Sequence, residues 1–178
     1  LSLQSLIDNL LESSSIEAGS FRLRRRVVNL EDVMAEALTI IRPLVERRRQ
    51  AIAVSEPARM PVLSADRARL TQALVNLLAN ASKFAPEGTT IRLGGELRGE
   101  QVAAWVEDEG PGLGAGDPGT VFQRFRRAGE VEPEAPGLGL GLWIVRSIIE
   151  RHGGEVGMER TPAGRTRFFF VLPAGERA

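Results

Sequence analysis

The segment Asn76-Leu-Leu-Ala-Asn80-Ala-Ser-Lys83-Phe84 carries two amides and an ammonium at helical spacing. At about 100° per residue, Asn76, Asn80 and Lys83 share a narrow arc of a helix. Leu74, Leu77, Leu78 and Ala81 lie mainly on its other sides. Asn is a poor interior helix residue because its side chain competes for backbone hydrogen bonds. Two of them one turn apart suggest a ligand. Amide oxygens suit a hard cation such as Mg²⁺, which takes oxygen ligands and shares them with phosphates. The ammonium suits a phosphate. Two solvated amides on a surface helix are the competing reading. Lys83 is also the one lysine among 23 basic residues, so this position either wants a compact ammonium and not a planar fork or is an accident of arginine bias.

A second constellation is "VAAWVEDEGPGLG", in which strand-like residues deliver Asp108 ahead of Gly110 and Gly112. A carboxylate at a strand end can accept from an exocyclic amine, and glycines let a ligand approach the backbone. A plain tight turn is the alternative. "GPGLGA" and "GAGDPG" match a dinucleotide fingerprint, but no second strand carrying the acid follows, so that reading is rejected. The third constellation is "PGLGLGLWIV", residues 136–145. No Gly-Lys-Ser/Thr occurs in the chain, which excludes a Walker loop. Leu142, Val145, Ile148 and Ile149 carry helical periodicity, which puts the glycines at a helix N-terminus, where free N–H groups and the dipole favour an anion. A buried strand is disfavoured because three glycines weaken it.

Helices are predicted over about residues 30–48, 66–84 and 140–152 to position these groups, with a turn and a strand in "EAGSFRLRRRVVN" and strands at "QAIAV", "TIRLGGEL", "QVAAWVE", "EVGMER" and "TRFFFVLP". "RGE" is a hairpin turn. Asn29 is the expected N-cap of the first of these helices, and Ser64 or Asp66 that of the second. Pro43 predicts a kink or break. Residues 1–16 form a further short amphipathic helix, "TVFQRF" a helical turn and "AGEVEPEAPG" a mobile loop. Helices layered on one sheet follow from this mixture. Net charge is zero, so long-range attraction to nucleic acid or an anionic membrane is not indicated. The absence of cysteine excludes thiolate chemistry, and the single histidine, His152, excludes a multi-histidine metal site. No apolar run approaches the ~20 residues of a membrane span.

"NLLANASKF", "DEGPGL", "FQRF" and "GLGLGLWIV", in that order, resemble the N box, first glycine box, F box and second glycine box of sensor histidine kinases. The resemblance covers about residues 20–173. It implies the catalytic ATP-binding domain of the superfamily shared with DNA gyrase, heat-shock chaperones and mismatch-repair ATPases. The implied fold is an α/β (α+β) two-layer sandwich, the Bergerat ATP-binding fold. It has a mixed, mainly antiparallel sheet of about five strands covered by about three helices. The implied cofactors are ATP and Mg²⁺. By position, Asn80 coordinates Mg²⁺ with Asn76 in support, and Lys83 contacts phosphate. Asp108 binds the adenine amine, Gly110 and Gly112 shape the pocket, and Thr166 assists at adenine through water. Gly137, Leu138, Gly139, Leu140 and Gly141 form the phosphate loop at the end of a lid. Phe122 and Phe125 anchor the lid's base, and Arg127 is a candidate for the γ-phosphate. Hydrolytic members carry Glu where Asn76 stands. An amide is no base at neutral pH, which favours phosphoryl transfer to histidine over hydrolysis.

Two residues depart from the family pattern. Arg165 precedes Thr166 where Gly is frequent, and Leu138 stands where a hydroxyl is common. These departures motivate a degenerate nucleotide-binding or docking module as the alternative; an anti-sigma-type serine kinase of the same superfamily is a further reading, against which the hairpin-helix stub and Lys83-Phe84 speak. No phosphoacceptor histidine motif occurs. His152 stands at a helix end and is read as structural. Residues 1–18 are expected to be the remnant of a dimerisation and phosphoacceptor hairpin, and residues 19–175 the catalytic domain. The expected partners are that hairpin and a cognate response regulator, with no nucleic acid and no membrane contact. The expected setting is cytoplasmic, within a longer sensor protein that is membrane-bound or soluble.

Overall fold

The computed structural model describes residues 14, 22–55, 61–112, 120–123 and 139–174. In chain order these form β1 (Arg26–Val28), α1 (Leu30–Arg47), β2 (Ala51–Ser55), β3 (Leu63–Ala65) and α2 (Arg67–Phe84). The hairpin β4 (Thr90–Arg98) and β5 (Gln101–Asp108) follows, then α3 (Gly141–Arg151), β6 (Glu155–Arg160) and β7 (Thr166–Pro173). The expected first helix, apart from Ser14, and the expected loop over 128–137 lie outside the described residues.

Five strands make one sheet in the order β2-β4-β5-β7-β6. β2 runs parallel to β4 and the other pairs are antiparallel. This is the mixed, mainly antiparallel sheet under three helices that the sequence leads one to expect. A separate two-stranded ladder of β1 and β3 was not foreseen. β1 falls within the expected strand before Asn29, but its partner β3 is only three residues long, too short for alternation to stand out.

One face of the sheet carries Val102, Ala104 and Val106 of β5 and Phe168, Phe170 and Leu172 of β7, all buried. The helices cover this face. α1 buries Leu30, Val33, Met34, Ala37, Ile41 and Val45, one stripe at helical spacing. α2 lies between α1 and α3 and packs on β5. Its buried stripe includes Leu70, Leu74, Leu77 and Leu78. Each such Leu stabilises the fold by on the order of 2 kcal/mol on burial.

Pro43 does not break α1, which continues to Arg47. Ile41 and Val45 flank it and are both buried, so packing holds the last turn. Asn29 occupies the N-cap position, but its side chain makes no cap hydrogen bond. Of the two caps considered for α2, Asp66 is the one used, and its carboxylate accepts from Arg69 N at 3.3 Å.

α2 is fixed at both ends. At its start, Asp66 N donates to His152 Nε2 at 3.0 Å, and His152 Nδ1 donates to Ile148 O at 2.8 Å. This ties α2 to the end of α3 through a buried neutral imidazole. At its finish, the Gln50 amide donates to the carbonyls of Ser82, Ala85 and Pro86 at 3.0–3.2 Å. Ser82 Oγ donates back to Gln50 Oε1 at 2.6 Å. These contacts satisfy carbonyls that a helix end leaves unpaired.

The other face of the sheet sets the strand register. Trp105 lies over Gly94, its cross-strand partner, and beside Phe169. The Arg167 guanidinium stacks 4.6 Å from the Trp105 ring and pairs with Glu107 and Glu159. A slip of one residue would move every side chain to the opposite face. This ladder therefore fixes which residue of β7 stands opposite Asp108.

Candidate nucleotide site

The residue opposite Asp108 is Thr166. Asp108 ends β5 and is 2% exposed; Thr166 begins β7 and is 3% exposed. Asp108 Oδ1 accepts from Gly110 N at 2.7 Å. Burial raises the Asp108 carboxyl from its ordinary 3.8 to about 6, and the Gly110 N–H only partly offsets that. Thr166 Oγ1 is buried without a hydrogen-bond partner. A carboxylate acceptor and an unspent hydroxyl thus stand side by side, where a buried polar group normally has a partner.

The loop after Asp108 is shaped around this pair. A Cβ on Gly110 would fall 2.7 Å from Asp108 Oδ1 and 2.9 Å from Phe84 O, so the loop passes tightly between β5 and the end of α2. Gly112 has φ +72°, in the region that favours glycine. A Cβ there would meet Arg160 Nη1 at 2.8 Å and Thr166 Oγ1 at 3.2 Å. Arg165, the residue that departs from the family pattern beside Thr166, closes the β6–β7 connection through its backbone. Its N–H donates to Thr161 Oγ1 at 3.1 Å and its carbonyl accepts from Thr161 N at 2.9 Å.

α2, whose last residue Phe84 the Gly110 turn abuts, carries the second group. Asn76, Asn80 and Lys83 are all half-buried. Asn76 Nδ2 is buried with no partner. Its amide faces the start of α3: a Cβ on Gly141 would lie 3.8 Å from Asn76 Oδ1. Leu140 is the residue before α3, is 2% exposed, and its carbonyl accepts from Ile144 N at 2.9 Å. Gly139 precedes it. The stretch that alternates Gly and Leu therefore does open a helix, and that helix opens against Asn76. Lys83 Nζ lies 5.0 Å from the centroid of the Phe84 ring. Among the described residues no group of three or more His, Asp or Glu side chains could hold a metal. On α2, the side-chain oxygens of Asn76 and Asn80 are amide oxygens, a type that suits a hard cation.

Phe122 is 3% exposed and packs edge-on against Phe168, ring centroids 6.1 Å apart. It sits in a tight turn in which Gln123 N donates to Thr120 O at 3.1 Å. Phe125, Arg127, Gly137 and Leu138 lie outside the described residues. The sequence reading missed Arg160, whose only signal was its place one hairpin before Thr166.

Residues 65–176 match the family model described as histidine kinase-, DNA gyrase B-, and HSP90-like ATPase. The chain is 35% identical over 168 residues to the sensor protein KdpD of Escherichia coli (strain K12), which covers 94% of this chain and 18% of that protein. The chain thus spans under a fifth of the length of that curated relative. Full-length ShkA in complex with AMPPNP superposes with a TM-score of 0.83 at 28% identity, covering 99% of this chain and 36% of that one. The catalytic domain of the histidine kinase ThkA gives 0.74 at 25% identity, covering 85% of this chain and 96% of that one. Among the described residues no helix is long and apolar enough to cross a membrane. With the order of the boxes and the sandwich in agreement with these matches, the chain belongs to the histidine kinase-, DNA gyrase B-, and HSP90-like ATPase family.

Proposed function

We propose that this chain is the ATP-binding catalytic domain of a two-component sensor histidine kinase. It binds Mg-ATP and donates the γ-phosphate to a histidine on a dimerisation hairpin. Residues 19–175 form the catalytic unit, and residues 1–18 belong to the hairpin's second helix. The carrying observation is a pair of buried, unpartnered polar atoms, Thr166 Oγ1 and Asn76 Nδ2. One stands beside Asp108 and the other beside the mouth of α3.

The chemistry of each end supports a nucleotide. Adenine offers an exocyclic amine beside a ring nitrogen acceptor. Asp108 accepts from the amine while Thr166 donates toward the ring, directly or through water. Guanine puts a carbonyl where adenine has the amine, which an ionised Asp108 repels. At the other end the N–H groups of α3 and its dipole favour phosphate, and Lys83 adds a positive charge. Mg²⁺, when bound, neutralises phosphate charge and takes oxygen ligands, which Asn76 and Asn80 supply here. Asn76 has no basicity at neutral pH, so it does not activate water, and the γ-phosphate is retained for transfer. Phe122 anchors the base of the lid in the core, with Phe125, Arg127, Gly137 and Leu138 completing the lid and its phosphate contacts. The histidine-bearing hairpin and a response regulator are the partners of the longer protein, in a cytoplasmic setting.

Titration of the 178-residue chain with a fluorescent ATP analogue in the presence of Mg²⁺ tests this reading. Asp108→Asn or Asn80→Ala is expected to abolish binding. Unchanged affinity in both variants would sink the site assignment, and a wild type that binds no nucleotide would favour the docking-module alternative.

A further inference from the structure

The turn at Pro111–Gly112 is held from the side by Arg160, the last residue of β6. Arg160 stands opposite Thr166, as Thr166 stands opposite Asp108. Residues directly opposite in neighbouring strands share a face of the sheet, so all three project on the helix-covered side at the sheet's end. Arg160 Nη1 donates to Pro111 O at 3.1 Å. The same nitrogen lies 2.8 Å from where a Gly112 Cβ would be, and Thr166 Oγ1 is 3.2 Å from that point. An exposed guanidinium is thus applied to a neutral carbonyl of the loop that walls the base site.

We propose that Arg160 is a specificity-determining positioning residue for the nucleobase. By holding Pro111–Gly112 against Thr166 it sets how far the base site opens beside Asp108. This inference rests on the nucleotide reading above. Guanine carries a 2-amino group that adenine lacks and presents O6 in place of the 6-amino group. A closed turn excludes the extra group and keeps the Thr166 hydroxyl and the Asp108 carboxylate at one spacing. A turn released from Arg160 tolerates both purines more equally. The triphosphate end is served by α2 and α3 and does not depend on this residue.

The test is isothermal titration of the 178-residue chain with Mg-ATP, Mg-GTP and inorganic tripolyphosphate, for the wild type, Arg160→Ala and Arg160→Lys. Arg160→Ala is expected to weaken ATP about fivefold, the loss of one exposed hydrogen bond from a charged donor. The ATP-to-GTP affinity ratio should fall by about the same factor, with tripolyphosphate within about twofold of wild type. Lysine reaches as a point charge without the planar fork, so Arg160→Lys should recover part of the ATP affinity. Unchanged ATP affinity, or ATP and tripolyphosphate weakening together, overturns the proposal. So does a lowered melting temperature with an unchanged ATP-to-GTP ratio, which marks a merely structural role. Those results leave the nucleotide reading standing. A wild type that binds no Mg-ATP brings both down.

Discussion

Asp108→Asn should make the nucleotide-free chain more stable while removing its ligand. The carboxyl is raised from 3.8 to about 6 because folding buries it with a single backbone donor. At about 1.4 kcal/mol per pH unit, an ionised Asp108 costs the fold on the order of 3 kcal/mol. Asparagine keeps the acceptor for Gly110 N and removes the charge. Its NH₂ must then be buried, which costs about 1 kcal/mol unless Thr166 Oγ1 accepts from it. A net gain of about 2 kcal/mol remains, roughly 5 °C in melting temperature for a chain of this length. The pH dependence carries the sign. Below about pH 3.8 the carboxyl is protonated in both states, and only the amide's burial cost of about 1 kcal/mol remains, which leaves the variant the less stable. Between about 3.8 and 6 the unfolded chain ionises first, so wild-type stability falls as pH rises. Above about 6 the penalty is complete. Melting of wild type and Asp108→Asn without nucleotide, compared at pH 4 and pH 8, should show stabilities within about 1 kcal/mol of each other at pH 4 and a clear separation at pH 8 with the variant higher. A variant less stable at pH 8, or a gap independent of pH, would refute the reasoning.

Three further outcomes follow from the same geometry. Gly110→Ala places a Cβ 2.7 Å from Asp108 Oδ1 and 2.9 Å from the Phe84 carbonyl. Overpacking against backbone should cost about 1–3 kcal/mol, read as a lower melting temperature with or without nucleotide. Burial lowers the His152 pKa below 6.5, chiefly by desolvation and against the pull of the Ile148 carbonyl. The unfolded chain therefore takes up the proton first, and stability should fall as pH drops below about 6.5. His152→Gln should flatten that acid limb in a pH series of chemical denaturations. Arg167→Ala strips a partner from Glu107, whose side chain is 6% exposed, and should cost about 2 kcal/mol after allowance for the part-exposed arginine. Glu107→Gln should cost less, and equal losses in urea unfolding would contradict the account of the ladder.

Local chemistry was legible from spacing. The arc of Asn76, Asn80 and Lys83, the strand end at Asp108 and the helix opening at Gly141 each depend on residues within a few positions of one another. The periods of 3.6 and 2 express themselves there without help from the rest of the chain. The apolar runs "QVAAWVE" and "TRFFFVLP" likewise announced two strands. Spacing could not show which residues meet across the fold. Thr166 stands opposite Asp108 because the Trp105, Phe169 and Arg167 ladder sets the register of β5 and β7. Asn76 faces Gly141 because α2 packs between α1 and α3. The two ends of α2 are set by Gln50 and His152, far from it in sequence, and Arg160 reaches Pro111 through the β6–β7 pairing. The sequence by itself determined which groups could bind and which elements would carry them. The tertiary structure decided their partners, because a cross-strand neighbour or a helix-end acceptor is chosen by packing and register, and no periodicity along the chain encodes that choice.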